Sequence, residues 1–96
     1  MNMLQVISAT YCGNYTIAIT FNNGTSGMAN LKDSIFNDKR SVFVDLQDES
    51  YFKQFTIEHG TITWTNGLDL SPEFLFFVSF QQEAAYQAQF KQWGYS

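Results

Sequence analysis

The chain has 96 residues and a formal charge of −4, from five Lys/Arg against nine Asp/Glu, and 18% of it is aromatic, including ten Phe. Such a length makes one domain with one core, in which folding buries roughly 60–70% of the extended chain's surface. The negative balance excludes the basic footprint that binds nucleic-acid phosphates, and a lone cysteine, Cys12, excludes an internal disulfide or a paired-cysteine zinc site.

Leu4 to Thr10 reads as a strand, joined through Cys12-Gly13-Asn14 to a second one. There Tyr15, Ile17, Ile19 and Phe21 alternate with Thr16, Ala18 and Thr20. Successive strand residues point to opposite faces, so this pattern fixes one buried and one exposed face, and a one-residue slip would turn the aromatics outwards. Asn22-Asn23-Gly24 is a hairpin signal, expected as a two-residue turn because Asn and Gly tolerate positive φ. Thr25 to Ala29 returns as a third strand.

The middle of the chain loses the period of two and becomes charged. Asn30 or Asp33 caps a short helix through Phe36, and Ser41 precedes Val42, Phe43, Val44 and Leu46 at the spacing of one helical turn. The only adjacent basic pair, Lys39-Arg40, beside Asp38, reads as a solvated loop. Asp48 opens another short helix, Glu49 to Lys53, with acids at the end the helix dipole favours and with Phe52 and Phe55 turned inwards.

Phe55 to Glu58, the turn His59-Gly60 and Thr61 to Trp64 form a second hairpin that Asn66-Gly67 ends. Ser71-Pro72-Glu73 then starts a helix: a side-chain acceptor at the cap, a proline whose missing N–H costs nothing there, and an acid in the first turn. Phe74 to Trp93 is expected as one helix, with Tyr86, Phe90 and Trp93 on one face at i, i+4, i+7. Fold class is therefore α+β: a small antiparallel sheet of two hairpins, short helices between them and a C-terminal helix. The N-terminus has no basic signal region, and the longest nearly apolar run, Phe74 to Phe80, is too short to cross a bilayer, so the expected location is the cytoplasm, away from membranes.

The turn Phe21-Asn22-Asn23-Gly24, the later Leu46-Gln47-Asp48 and Phe52, and above all Ile62-Thr63-Trp64-Thr65-Asn66-Gly67-Leu68-Asp69-Leu70-Ser71-Pro72-Glu73 resemble the bacterial family called domain of unknown function 2442. The resemblance spans residues 4 to 76 within a single domain of residues 1–96, with residues 77–93 as a helical extension. It implies a small α+β fold that stands alone or joins a helix-turn-helix domain, and in some members a toxin-like gene neighbour; it implies no activity. The chain departs from the family pattern at Asn30-Leu31, where Asp-Leu is common, and in its long tail.

Chemistry-bearing residues are few. Asp69 and Glu73 are spaced to share a helix terminus, but Asp69 is better read as accepting backbone N–H groups in its turn than as half of an acid–base pair. His59 is the only histidine and sits in a turn, so neither a metal site nor a cofactor is expected. Gly24-Thr25-Ser26-Gly27 matches the start of a nucleophile elbow, yet Met28 stands where its second glycine belongs, and a hairpin edge is the better reading. Cys12 is expected as a buried or half-buried thiol. Trp64 alternates with Ile62 as a core residue does.

These readings favour a non-enzymatic protein-interaction or regulatory module, self-associating or antitoxin-like, with Phe77, Phe80, Tyr86, Phe90 and Trp93 as its interaction surface. The alternative is a small-ligand-binding domain with a site at Trp64, Asn66 and Asp69.

Overall fold

The computed structural model describes residues 3–95. Three strands, β1 (Val6–Tyr11), β2 (Thr16–Phe21) and β3 (Ser26–Asn30), form an antiparallel sheet in that order. Ile17, Ile19 and Phe21 are sealed on its inner face and Thr16, Ala18 and Thr20 lie on the other, as the alternation requires. Tyr15, half-buried, takes a left-handed backbone in the β1–β2 turn and donates its hydroxyl hydrogen to the Gln47 carbonyl.

Three short helices follow: α1 (Lys32–Asn37), α2 (Ser41–Asp45) and α3 (Glu49–Phe52). Asp48 caps α3, its Oδ1 accepting the Ser50 N–H at 3.0 Å, and Phe52 is fully buried while Phe55 is half-buried. Asn30 does not occupy the N-cap position of α1, which is Leu31; its Oδ1 accepts the N–H of Lys32, the first residue of the helix, at 3.1 Å.

A second antiparallel sheet contains β4 (Thr56–Glu58), β5 (Thr61–Thr63) and β6 (Asp69–Leu70). The two hairpins thus lie in separate sheets, and the later one gains a third strand where sequence placed only a turn. A bulge where β1 shifts register between Val6 and Ser8 adds local twist, and the sheets meet through the Val6 N–H, which donates to the Gly60 carbonyl at 2.8 Å.

Both Asn-Gly turns are three-residue loops, which at Asn22-Asn23-Gly24 corrects the two-residue expectation, and they share one construction. After Phe21, the Gly24 N–H returns to the Phe21 carbonyl and the Phe21 N–H donates to the Thr25 carbonyl; Trp64, Gly67 and Leu68 repeat the arrangement. Each loop ends on a glycine with positive φ, +87° at Gly24 and +92° at Gly67, and each Asn accepts the N–H two residues on.

The final segment departs most from expectation. Helix α4 (Pro72–Phe80) starts as predicted, with Ser71 Oγ accepting the Phe74 N–H at 3.2 Å, but it ends at Phe80. A turn and a 3-10 segment (Ala84–Tyr86) lead to a separate helix, α5 (Gln87–Trp93). A straight helix from Phe74 to Trp93 would run about 30 Å. The five-residue β3 on which α4 packs covers only about 17 Å, so the far half would find nothing to cover it. Folding back instead brings Phe90 to 5.1 Å from Phe77 and Tyr86 to 4.9 Å from Phe76, ring centre to ring centre. Gln87 holds the break: its Nε2 donates to the carbonyl of Gln81, the C-cap of α4, at 2.9 Å and to that of Glu83 in the turn beyond at 2.8 Å. Among the described residues no helix is long and apolar enough to cross a membrane.

Candidate functional site

Trp64, Asn66 and Asp69 do not form one site. Trp64 is 5% exposed; its Nε1–H donates to the Phe52 carbonyl at 2.8 Å and its ring packs against Phe52 and Phe55. A buried indole needs a partner for its one donor, and this one has found it inside the core. Asn66 is equally committed: Oδ1 accepts the Leu68 N–H, while Nδ2 donates to the Val42 carbonyl at 3.1 Å and to Asp45 Oδ2 at 3.0 Å. Asn66 therefore has the turn-holding role that sequence gave to Asp69. Asp69 is exposed on β6 and accepts no side-chain hydrogen bond among the described residues, because the turn's free N–H points at Asn66.

The expected aromatic interaction surface is largely consumed inside the molecule. Phe90 is 0% exposed, which removes it as a contact residue, and Phe77, Phe80, Tyr86 and Trp93 are half-buried around Phe76. The fold-back of α5 is the physical reason. Cys12 is exposed, not buried, since it follows the end of β1 and its thiol reaches only the Thr10 carbonyl, at 3.6 Å. His59 is exposed in its turn, and no group of three or more His, Cys, Asp or Glu converges as a metal-ligand set among the described residues.

What Asp69 does face is an open groove of about 730 Å³ between the α1–α2 loop and the corner where β6 enters α4. Phe43, Leu68, Leu70 and Phe74 supply its apolar lining; Asp38, Lys39 and Arg40 stand on one side, Asp69 and Ser71 on the other. Phe43 and Leu70 are anchored in the core, and Ser71 is held by its capping bond to Phe74.

Electrostatics there centre on Arg40. Its Nε and Nη2 donate to Asp38 in a fork at 3.0 and 2.6 Å, and the guanidinium carbon lies 5.0 Å from the centre of the Phe43 ring. Hydrogen bonds from the Arg40 side chain hold the Asp38 carboxyl below the usual carboxylate range, and the same pairing raises Arg40. The fork and the aromatic face together orient a side chain that remains 72% exposed. Sequence reading saw Lys39-Arg40 only as a solvated loop. The Asp-x-Arg spacing ahead of Phe43 was the available signal; the other wall lies some thirty residues away in sequence and no local pattern joins the two.

A family model described as "Protein of unknown function (DUF2442)" matches residues 6–79. The chain belongs to this family. The DUF2442 segment takes in both sheets and every residue lining the groove, and stops one residue short of the end of α4, leaving α5 outside. No curated protein and no solved structure matches the chain.

Proposed function

We propose that this protein is a non-enzymatic interaction module that docks a segment of a partner protein in the groove between the α1–α2 loop and the β6–α4 corner. One observation carries the reading: an open groove pairs an apolar floor with an oriented, exposed cation on one rim and, on the other, a carboxylate with no hydrogen-bond partner among the described residues. Interfaces use this combination, with an apolar centre for affinity and rim charges for orientation and partner choice.

The groove's chemistry supports binding over catalysis. Asp38 is tied to Arg40 by a forked ion pair, and general acid–base work needs a carboxyl free to take up and release a proton at the reacting atom. An antitoxin-like role is the regulatory form of this reading and rests on the family resemblance. The module works in the cytoplasm on this reading, where its exposed Cys12 stays reduced.

Charge reversal on the rims tests it. Arg40→Glu and Asp69→Lys alter exposed side chains, with Gln54→Lys as a control. A protein that co-purifies from the native host with the unaltered chain and the control, and is lost with both rim variants, is the expected result. Undiminished recovery with both rim variants overturns the groove as the docking site.

The alternative, a small-ligand site, keeps only Asp69 of its original three residues. Its supporting observation is the groove's size, which falls within the volume range of small-molecule pockets.

A further inference from the structure

A strand edge presents unpaired N–H and C=O groups, and proteins guard such edges with charges, prolines, bulges or very short strands. Among the described residues, three of the four outer strands are guarded. β1 carries a bulge and donates to Gly60; β4 is three residues long and ends on Glu58; β6 is two residues long and carries Asp69. β3 is the exception: five residues, Ser-Gly-Met-Ala-Asn, with no charge and no proline, in unbroken register with β2.

Which groups face outwards follows from the ladder. At its ends the Phe21 N–H donates to Thr25 and the Leu31 N–H to Tyr15. Antiparallel pairs alternate between hydrogen-bonded and non-bonded, so Gly27 and Ala29 turn their N–H and C=O towards β2. Ser26, Met28 and Asn30 turn theirs away, and no backbone hydrogen bond reaches these three from that side among the described residues. All three are exposed, Met28 at 52%. Helix α4 meets β3 from the inner face, through Ser79 and Phe80 at Gly27, and so does not stand in the place of a fourth strand.

We infer that β3 pairs with β3 of a second copy of this chain, antiparallel about a two-fold axis at Met28. In that register Met28 faces Met28 of the partner copy and Ser26 faces the partner copy's Asn30, each pair exchanging two backbone bonds. No pair opposes like charges, and the two exposed methionines cover one another on the outer face. A second copy is favoured as occupant because the edge is self-complementary and every copy brings one matching unguarded strand, which closes into a dimer with no free β3 left over. The surface is separate from the groove, so neither proposal depends on the other.

The test is charge at the axis. Met28→Lys and Met28→Glu change an exposed side chain and leave the β2 ladder intact. Sedimentation of the unaltered chain should show a concentration-dependent monomer–dimer equilibrium, with each variant alone shifted at least tenfold towards monomer. An equal mixture of the Lys and Glu variants should restore the dimer, because only a two-fold at this position sets the new charges opposite each other. Circular dichroism of each variant confirms that it folds. A strict monomer at millimolar concentration, a dimer indifferent to both substitutions, or a mixture that stays monomeric would each overturn the proposal; binding of a foreign strand by a monomeric chain would do so as well.

Discussion

Asn23 and Asn66 occupy equivalent places in two loops of one construction, and they differ in what else they hold. Asn23 accepts the Thr25 N–H and hydroxyl on an exposed hairpin tip. Asn66 accepts the Leu68 N–H and also ties the loop to α2 through Val42 and Asp45. A net hydrogen bond is worth about 1 kcal/mol, and a part-buried group left without a partner costs more than an exposed one. Asn66→Ala should therefore destabilise by about 2–3 kcal/mol and Asn23→Ala by about 1 kcal/mol or less. Urea unfolding of the two variants checks this as a larger fall in midpoint for Asn66→Ala at equal slope. Equal falls would mean that the tether to α2 contributes nothing.

At the scale of elements, most boundaries were legible because their signals are local. Alternation at Tyr15 to Phe21 located β2 and its inner face, Ser71-Pro72-Glu73 located the start of α4, and Asp48 located α3. The end of α4 was not legible, since Gln81, Gln82, Glu83, Ala84 and Ala85 are ordinary helix formers with neither proline nor glycine among them. That break is set by tertiary burial of Phe90. β6 was missed for a similar reason: two residues have no period, and Asp69-Leu70 becomes a strand only by pairing with β5. The groove was beyond reach because its walls come from distant segments. One close approach shows how tightly α4 is set. A Cβ on Gly27 would lie 2.8 Å from Phe80 Cζ and 2.9 Å from Ser79 Cβ, whereas one on Gly24 would meet nothing within 4 Å. Gly27→Ala should thus destabilise by overpacking, about 1–3 kcal/mol, and couple to Phe80→Leu in a double-mutant cycle. Gly24→Ala should cost about 1 kcal/mol from its left-handed backbone alone and show no coupling to Phe80. Additive behaviour of Gly27 and Phe80 would refute the tight α4–β3 contact.

For the whole molecule, the family boundary and the core boundary differ. The DUF2442 match stops at residue 79, yet Phe90 on α5 is among the fully buried side chains, and Phe76 meets Tyr86, Phe90 and Trp93 edge-on. The chain closes this layer with a left-handed Gly94, after which the Tyr95 N–H returns to the Phe90 carbonyl and the Tyr95 ring stacks on Phe77 at 4.9 Å. Losing one buried Phe costs about 3–5 kcal/mol, against a total stability of about 5–15 kcal/mol for a domain. Ending the chain after Gln82 removes Tyr86, Phe90, Trp93 and Tyr95 together and bares Phe76, Phe77 and Phe80. That truncation should abolish the cooperative thermal transition and leave a compact state that binds a hydrophobic dye, even though it retains the entire family segment. Thermal circular dichroism in the near and far ultraviolet, with dye fluorescence, measures both. A truncated chain that melts cooperatively within a few degrees of the full one would show that the two sheets and α4 close their core without α5.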